Sequence, residues 1–480
     1  MPATGTGRRT AAPRTVLRVK SPQALLTEAG HDDEGHGLKR TMGLWQTVAF
    51  GIGAVVGTGI FVVLGDVVPK AGPAAVVSFA LAGLTCVFSA LAFAELAAAI
   101  PVSGSSYSYA YASLGEGVAW LVGWCLLLEY GVSVSAVAVG WGQYLNELLH
   151  SVFGWQLPAA LSNPPGSGGV VDLPALVVVL LAALLLIRGV RESARAAVVM
   201  MVVKLGVLAL FVAIALTAYH ADHFADFAPH GMAGIGAGAS LAFFSFIGFD
   251  AISTTGEEVK NPRRNLPLAI VLCMAAVTLI YCVVAWAAVG AMPASEIGKH
   301  RAVLAVIVDQ VTGSSAGGII VAVGAVVAIA SVVLTVLYGQ TRILMAMSRD
   351  GLVPKVFERV SPRTATPVAN TWIVGGVFGL LAAVVPLDVV VNLTTIGTLA
   401  ILVVVNISVI VLRRRRPDLP RFFRVPLYPV TPILGIAFVL YLMWGLGAST
   451  WIQFGVYLVL GVALYFAYGH RKSKLRNAGS

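Results

Sequence analysis

Apolar segments of about 20 residues recur along the whole chain and are separated by short polar stretches. A helix of that length crosses roughly 30 Å of hydrocarbon, so each segment predicts a membrane-spanning helix. None of the polar stretches is long enough to form a soluble domain. The pattern predicts an all-α integral membrane protein with twelve spans, at residues 44–68, 73–100, 116–148, 172–188, 193–219, 232–258, 266–291, 315–345, 367–385, 388–412, 430–448 and 452–469.

Two of these spans, the first and the sixth, are interrupted near their middle. The first contains the glycine-rich stretch GIGAVVGTG at residues 51–59, and the sixth contains Ser245, Gly248 and Asp250 among Phe and Ile. In hydrocarbon every backbone N–H and C=O needs a partner, so a helix unwinds only where these groups line a cavity or meet a ligand. A matched pair of breaks, one in each half, indicates the substrate site of a transporter.

The positions of the breaks also predict the domain organisation. Spans one and six stand five apart, and an odd offset reverses the direction of crossing, so spans 1–5 and 6–10 form a 5+5 inverted repeat. We expect a transport core at residues 41–412, with repeats at about 44–219 and 232–412, and two peripheral helices at 413–469. Residues 1–40 are expected to be a flexible cytoplasmic tail and residues 470–480 a second cytoplasmic tail.

Composition and charge agree with a bilayer protein. Mean hydropathy is +0.88 and 11% of residues are charged, whereas soluble domains carry roughly 25%. The net charge of +10 invites a nucleic-acid partner, but Lys and Arg concentrate in alternate loops. Only Lys70, Lys299 and Arg301 fall on the other side, and Lys204 lies within a span. This asymmetry predicts a multi-pass plasma-membrane protein with both termini cytoplasmic and no nucleic-acid partner.

Enzymes and channels fit the sequence less well than a transporter. No HExxH motif or Ser-His arrangement is present, so no catalytic residues are expected. The four cysteines lie within predicted spans without paired spacing, so neither a disulfide nor a metal site is expected. A channel would need a filter or a ring of like residues, in place of two inverted halves.

The two breaks offer complementary backbone chemistry. Where the first span resumes after its glycines, a new helix N-terminus presents free N–H groups that suit a carboxylate. The alternative is that these glycines only allow close helix packing. Unwound carbonyls in the sixth span suit an ammonium group. One of its phenylalanines could close over a bound solute, while the others are ordinary packing residues. Together the breaks describe a site for an α-amino acid.

Four stretches resemble one transporter family. They are FFSFIGFDAISTTGEEVKNPRRNLPLAI at residues 243–270, GIGAVVGTGIFVVLG in span one, PVSGSSYSYAY after span two and YGQTRILMAMSRDGLVP closing span eight. These resemble the bacterial branch of the cationic amino acid transporter family, within the amino acid-polyamine-organocation (APC) superfamily. The resemblance implies the five-plus-five inverted-repeat fold first known from the sodium-coupled bacterial leucine transporter, with alternating access around a central site.

The resemblance also implies roles for individual residues. The substrate carboxylate is assigned to the first break, bracketed by Val55, Gly57, Thr58 and Gly59. The amine acceptors and the gate are assigned to the second break, at Phe244, Ser245 and Ile247. Phe244 is the aromatic gate. Val336 in span eight faces the side-chain pocket.

Lys204 and Glu129 are ionisable residues within spans, where charge is costly and suggests function. In the family fold, span five packs beside the first break, where sodium-coupled relatives hold a cation. Lys204 could replace that ion, donating to span-one carbonyls when protonated and releasing them when neutral. We therefore expect proton coupling and no cofactor, with sodium less expected. Snorkelling to the interface is the alternative for Lys204, and a structural hydrogen bond is the alternative for Glu129.

The remaining expectations concern the inner gate and the substrate. Glu257 and Glu258 stand beside three loop bases and could latch the gate, or they could be solvated charges. Family members that accept arginine or lysine tend to have a small or polar residue at the position of Val336. The valine favours small or medium neutral L-amino acids. A cationic amino acid or polyamine transporter or exchanger, and a sodium-coupled symporter, remain alternatives, and a small accessory membrane subunit stays open.

Overall fold

The computed structural model describes residues 18–23, 25, 42–102, 104–188, 194–256, 258–361, 364 and 366–474, with the side chains of 194–197 left out. These residues are almost entirely helical, which confirms the all-α class. A two-residue strand, Val171–Asp172, pairs antiparallel with Ser162 and Asn163 in a loop. Most of the predicted N-terminal tail, residues 475–480 and the proposed gate residue Glu257 lie outside the described residues.

The helix bounds follow the apolar pattern closely. The α-helices are Leu44–Val55, Leu64–Ala71, Ala75–Ala99, Ser105–Ser113, Glu116–Leu126, Ser133–Phe153, Ala159–Ser162, Leu173–Ile187, Ala194–Ala215, Gly231–Ala242, Ala251–Thr254, Pro262–Ala291, Ala294–Ile297, Val303–Thr312, Ser315–Arg349, Val368–Val384, Leu387–Arg415, Val430–Gly445, Ala448–Leu464 and His470–Lys472. The π-helical stretches are Gly59–Val63, Leu127–Val132 and Tyr465–Gly469. The 3-10 turns are Gly72–Ala74, Leu216–Ala218, Ala221–Phe224, Phe243–Phe246 and Lys355–Phe357.

Within the described residues, eight helical segments are long and apolar enough to cross a membrane. Five further apolar helices are shorter, at 10–17 residues. The difference from twelve predicted spans has a physical origin in the first span, because its break leaves a 12-residue helix, Leu44–Val55, and 12 residues rise only about 18 Å. The chain beyond that break continues as one helical segment, Gly59–Ala99, through the second predicted span. The twelve-span count stays a prediction.

The first broken helix begins at Leu44, where the Gly43 N–H donates to the Gln46 side chain at 2.8 Å. It ends at Val55, and Val56 takes extended backbone angles of φ −74° and ψ 106°. Helical backbone resumes at Thr58 and runs through the π-helical stretch Gly59–Val63 into Leu64–Ala71. We call residues 56–57 the first break.

The second broken helix has a longer interruption. The helix Gly231–Ala242 tightens into the 3-10 turn Phe243–Phe246, and Ile247 is extended. Gly248 then adopts φ +104°, a conformation that strongly favours glycine. Helix returns only at Ala251–Thr254. We call residues 243–250 the second break. Both interruptions therefore lie where the glycine and polar pattern predicts them.

The two broken helices are joined at one end by their main chains. The Met42 N–H donates to the Glu258 carbonyl at 3.1 Å, and the Lys260 N–H donates to the Met42 carbonyl at 2.8 Å. Met42 and Val259 thus form a parallel bridge. The start of the first broken helix is fastened to the segment that follows the second.

Long helices surround the broken pair. Pro262–Ala291 packs against Ala75–Ala99 and Leu44–Val55, and Ser315–Arg349 packs against Ser133–Phe153. Val430–Gly445 lies against Leu387–Arg415. At the end near Met42, the Lys20 ammonium pairs with Asp350 at 3.1 Å, so part of the N-terminal segment contacts the helical bundle.

Candidate functional site

The residues that flank the first break touch the second break in the middle of the bundle. A Cβ placed on Gly59 would stand 2.2 Å from the Ser245 Cα, and one on Gly248 would stand 3.1 Å from the Ala54 carbonyl oxygen. Real Cβ atoms do not approach backbone atoms to 2.2 Å, so only glycine at position 59 allows this contact. The alternative interpretation, in which these glycines allow close packing, is therefore also met, and the close packing occurs at a break.

A small, partly open cavity lies between the breaks and their neighbouring helices. It is lined by Ala54, Val55, Gly57, Thr58, Gly59, Glu129, Tyr130, Ser133, Val137, Phe244, Ile247, Gly248, Val332 and Val336. The structure thus brings seven of the eight predicted substrate-binding residues together with Glu129 around one space. Ligand sites are typically concave and mostly apolar with a few polar groups, and this cavity fits that description.

Ser245 is the predicted binding residue that does not line the cavity. It lies behind Gly59, and within the described residues its buried hydroxyl has no hydrogen-bond partner. Its carbonyl oxygen accepts a hydrogen bond from the Tyr281 hydroxyl at 2.9 Å. Its side chain therefore packs between the breaks, while its main chain faces the helix Pro262–Ala291.

The first break combines donors and acceptors of the main chain. Residues Thr58 and Gly59 begin a new helical stretch, and the first N–H groups of a helix have no intrahelical partner. These groups and the positive end of the helix dipole suit a carboxylate. On the other side of the break, Val55 is the last residue of its helix. Its carbonyl oxygen accepts from the Tyr281 hydroxyl at 3.1 Å.

Lys204 is completely buried, and its ammonium nitrogen donates to the carbonyl oxygen of Gly53. The sequence predicted this contact between span five and span-one carbonyls, in preference to snorkelling. Gly53 lies in the last turn of Leu44–Val55, where carbonyls lack intrahelical partners. A cationic side chain from a neighbouring helix therefore stabilises the end of the first broken helix.

Polar residues of a neighbouring helix, Glu129, Tyr130 and Ser133, also line the cavity. Glu129 and Tyr130 belong to the π-helical stretch Leu127–Val132, and such stretches often occur at functional sites. The Tyr130 hydroxyl donates to Asp250 Oδ2 at 2.7 Å and so joins this helix to the second break. Within the described residues Asp250 Oδ1 has no partner.

The predicted gate residue Glu258 pairs with a residue other than the three loop bases that follow it in the sequence. Glu258 forms an ion pair with Arg342 of the helix Ser315–Arg349, at 3.6 Å between Oε1 and the guanidinium, a partner that the sequence did not indicate. The guanidinium of Arg342 also contacts the Tyr338 hydroxyl. No group of three potential metal ligands occurs in the described part of the chain.

The sequence did not single out four residues at the site, namely Tyr130, Ser133, Val332 and Tyr281. A lone tyrosine or serine in an apolar span looks like any packing residue, so the sequence carries little signal for them. Val332 lies one helical turn before Val336, and that spacing could have placed it on the same face.

A central cavity between two broken helices, in a bundle of apolar helices, defines the class of secondary transporters. The family model described as amino acid permease matches residues 42–466. The chain therefore belongs to the amino acid permease family and is a multi-pass membrane protein.

Similar proteins from other organisms agree with that assignment. The branched-chain amino acid permease BcaP of Bacillus subtilis is 41% identical over 96% of this chain and 99% of that protein. The methylthioribose transporter of the same species is 41% identical over 91% of this chain and 95% of that protein. Cationic amino acid transporter 4 of Homo sapiens is 34% identical over 80% of this chain and 61% of that protein. These relatives are permeases and transporters rather than enzymes, and they confirm the resemblance drawn from the motifs.

Proposed function

We propose that this protein is a proton-coupled symporter of small or medium neutral L-amino acids, including branched-chain ones. It works by alternating access across the plasma membrane, with both termini cytoplasmic. The observation that carries the proposal is the cavity between the two breaks, with helix N-terminal N–H groups on one side and unwound carbonyls on the other. A zwitterion satisfies both sets of groups at once.

The proposed binding mode follows from the lining of the cavity. The substrate carboxylate binds the N–H groups at Gly57, Thr58 and Gly59, and the ammonium binds carbonyls at Val55 and the second break. The side chain then points toward Val332 and Val336, which present only methyl groups. An aliphatic side chain gains about 0.8 kcal/mol for each buried CH₂ against such a wall. A guanidinium or ammonium would lose its hydration there without a partner among the valines.

The coupling proposal rests on Lys204. In its protonated form the ammonium donates to the Gly53 carbonyl and holds the end of the helix Leu44–Val55. Loss of the proton removes the positive charge from this buried position and weakens the contact. The proton taken up by Lys204 is thus carried together with the substrate, and Glu129 beside the cavity is the proposed second proton-binding group.

The gating proposal assigns two groups to the two sides of the site. Phe244 lines the cavity within the second break and closes over the substrate. Glu258 and Arg342 form the latch at the end near Met42.

Purified protein in proteoliposomes tests substrate and coupling together. An imposed potential of about 100 mV supplies about 2.3 kcal/mol per proton, enough for about 50-fold accumulation. Labelled leucine and alanine should accumulate under a proton gradient at equal sodium on both sides. Arginine should compete weakly. Accumulation that follows a sodium gradient alone would contradict proton coupling, and uptake of arginine in preference to leucine would contradict the substrate class.

Methylthioribose is a second candidate substrate, favoured by the 41% identity to a transporter of that name. Hydroxyl-bearing Tyr130 and Ser133, with Glu129, supply polar groups on one wall of the cavity that a sugar could use. The same assay distinguishes the candidates, because unlabelled methylthioribose should leave leucine uptake unchanged if the zwitterion is the substrate.

The variant Val336→Ser sharpens the substrate assignment. Removing two methyl groups from the side-chain wall should raise the leucine KM about tenfold while arginine inhibits more strongly than in the wild type. Val327 lies on the same helix but is 43% exposed on the bundle surface, so Val327→Ser is the matched control.

A further inference from the structure

One hydroxyl group touches both breaks. Tyr281 belongs to the helix Pro262–Ala291 and is completely buried. Its hydroxyl oxygen lies 3.1 Å from the carbonyl oxygen of Val55 and 2.9 Å from that of Ser245. The first carbonyl ends the helix Leu44–Val55, and the second lies in the 3-10 turn of the second break.

The ring of Tyr281 is held in place on two sides. It packs edge-on against Phe246, with ring centroids 5.1 Å apart, and against Phe79, with centroids 6.0 Å apart. Aromatic packing of this kind fixes the ring plane. The hydroxyl can therefore turn its proton between the two carbonyls while the oxygen stays in place.

A tyrosine hydroxyl carries a single proton, whereas two carbonyls face it. The two carbonyl oxygens therefore share one donor, and the hydroxyl proton can bond only one of them at a time. An unmet acceptor in a buried site costs about 1 to 3 kcal/mol. A ligand ammonium group carries three donors and can supply the missing one.

We propose that Tyr281 positions the amine-binding carbonyls and gives up one of them to the substrate. Val55 lines the cavity and Ser245 does not, so the Val55 carbonyl is the one that the substrate ammonium takes. The Tyr281 hydroxyl then donates to Ser245 alone. This inference rests on the proposed function, because it requires a substrate with an amine. It makes Tyr281 a positioning residue that recognises the amine indirectly and links the two halves of the site.

The variant Tyr281→Phe removes the hydroxyl and keeps the ring. Without the shared donor the Val55 and Ser245 carbonyls are no longer fixed relative to each other, so the KM for leucine should rise about tenfold, one hydrogen bond being worth about 1.4 kcal/mol. The KM for alanine should rise by the same factor, because the side-chain wall is untouched. Inhibition by leucinol, which keeps the amine, should weaken in parallel. Inhibition by 4-methylpentanoate, which lacks the amine, should change less than twofold.

Tyr144 provides the matched control. It is also completely buried, and its hydroxyl donates to the Phe61 carbonyl at 2.8 Å. Phe61 belongs to the first broken helix but does not line the cavity. Tyr144→Phe loses an equivalent hydrogen bond, and its KM for leucine should stay within twofold of the wild type. The rise in melting temperature on adding leucine measures binding to each detergent-purified variant without transport.

The outcomes separate this inference from the proposed function. Wild-type protein that neither transports nor binds leucine would overturn both. Wild-type transport with an unchanged KM in Tyr281→Phe would overturn the role of Tyr281 alone. Equal losses for leucine and 4-methylpentanoate, equal losses in the two Tyr variants, or a Tyr281→Phe protein that fails to fold while Tyr144→Phe folds would assign the hydroxyl to stability and also overturn it.

Discussion

The two breaks solve the same physical problem in different ways. The first is two residues long, and the carbonyls of Gly53 and Val55 just before it depend on side chains from other helices, Lys204 and Tyr281. The second is eight residues long, and Tyr281 also donates to its Ser245 carbonyl. The short helix that follows it bonds largely within its own segment, as the Ser253 hydroxyl does to the Asp250 carbonyl at 2.6 Å.

This difference suggests that one break can change its conformation during transport while the other keeps a fixed conformation. A break that depends on a neighbouring helix can be altered by a change in that helix, such as loss of a proton from a lysine. A break that satisfies much of its own backbone keeps its shape and can present a fixed set of carbonyls. We therefore propose that ion coupling acts at the first break and that the second break supplies the preformed part of the substrate site.

The contact between the breaks should show the largest effect. The variant Gly59→Ala places a methyl group 2.2 Å from the Ser245 Cα, and main chain cannot yield as a flexible side chain can. The breaks must move apart, and misplacement of about 1 Å in a site can cost about 100-fold in rate. Leucine uptake into proteoliposomes should fall by about that factor. Gly206→Ala is the control, because a Cβ there meets nothing within 4 Å. Normal uptake by Gly59→Ala would mean that the breaks need not touch.

Removal of the charge at the first break should have the next largest effect. The variant Lys204→Met keeps the length of the side chain and removes the donor to Gly53. Accumulation driven by a proton gradient should disappear, while exchange of labelled for unlabelled leucine continues. Lys299 is a suitable control, since its side chain is 63% exposed and pairs with Glu296. Gradient-driven accumulation at the wild-type level in Lys204→Met would remove the basis for coupling at the first break.

A moderate effect is expected where the second break meets the cavity wall. The variant Tyr130→Phe leaves Asp250 Oδ2 without its hydroxyl donor. Loss of a buried hydrogen bond with an unmet partner costs about 1 to 3 kcal/mol, so the melting temperature should fall. Accumulation under a proton gradient should persist, because Lys204 is unaffected. Ser135→Ala, which removes a hydroxyl bonded to the Phe378 carbonyl at 2.7 Å, gives a comparison away from the breaks. A loss of coupling in Tyr130→Phe would show that switching is shared by both breaks.

The smallest effect is expected at the latch. Glu258 and Arg342 are about 30% exposed and 3.6 Å apart, and such pairs contribute about 0 to 1 kcal/mol. The variant Glu258→Gln should change uptake by at most about fivefold. Arg342→Gln should change uptake by a similar factor, and the double variant should change uptake by no more than either single variant does. Additive losses would mean that the two side chains act separately.

The sequence predicted the breaks well because glycine and polar residues in a hydrocarbon span have few other uses. Gly57, Thr58 and Gly59 line the cavity, as the motif implied. Ser245 was placed less well, because once a helix unwinds its period no longer tells which way a side chain points. Tyr281 and the Glu258 to Arg342 pair depend on tertiary packing between distant helices, which one sequence does not encode in any local pattern.

The bridge between Met42 and Val259 limits how the molecule can open at that end. Two main-chain hydrogen bonds fasten the leading arm of one interrupted helix to the trailing arm of the other. Neither arm can swing outward alone unless both bonds break, and the bridge residues Met42 and Val259 are buried. We therefore expect release of solute at this end to involve a joint displacement, in which the two paired arms move as a single body.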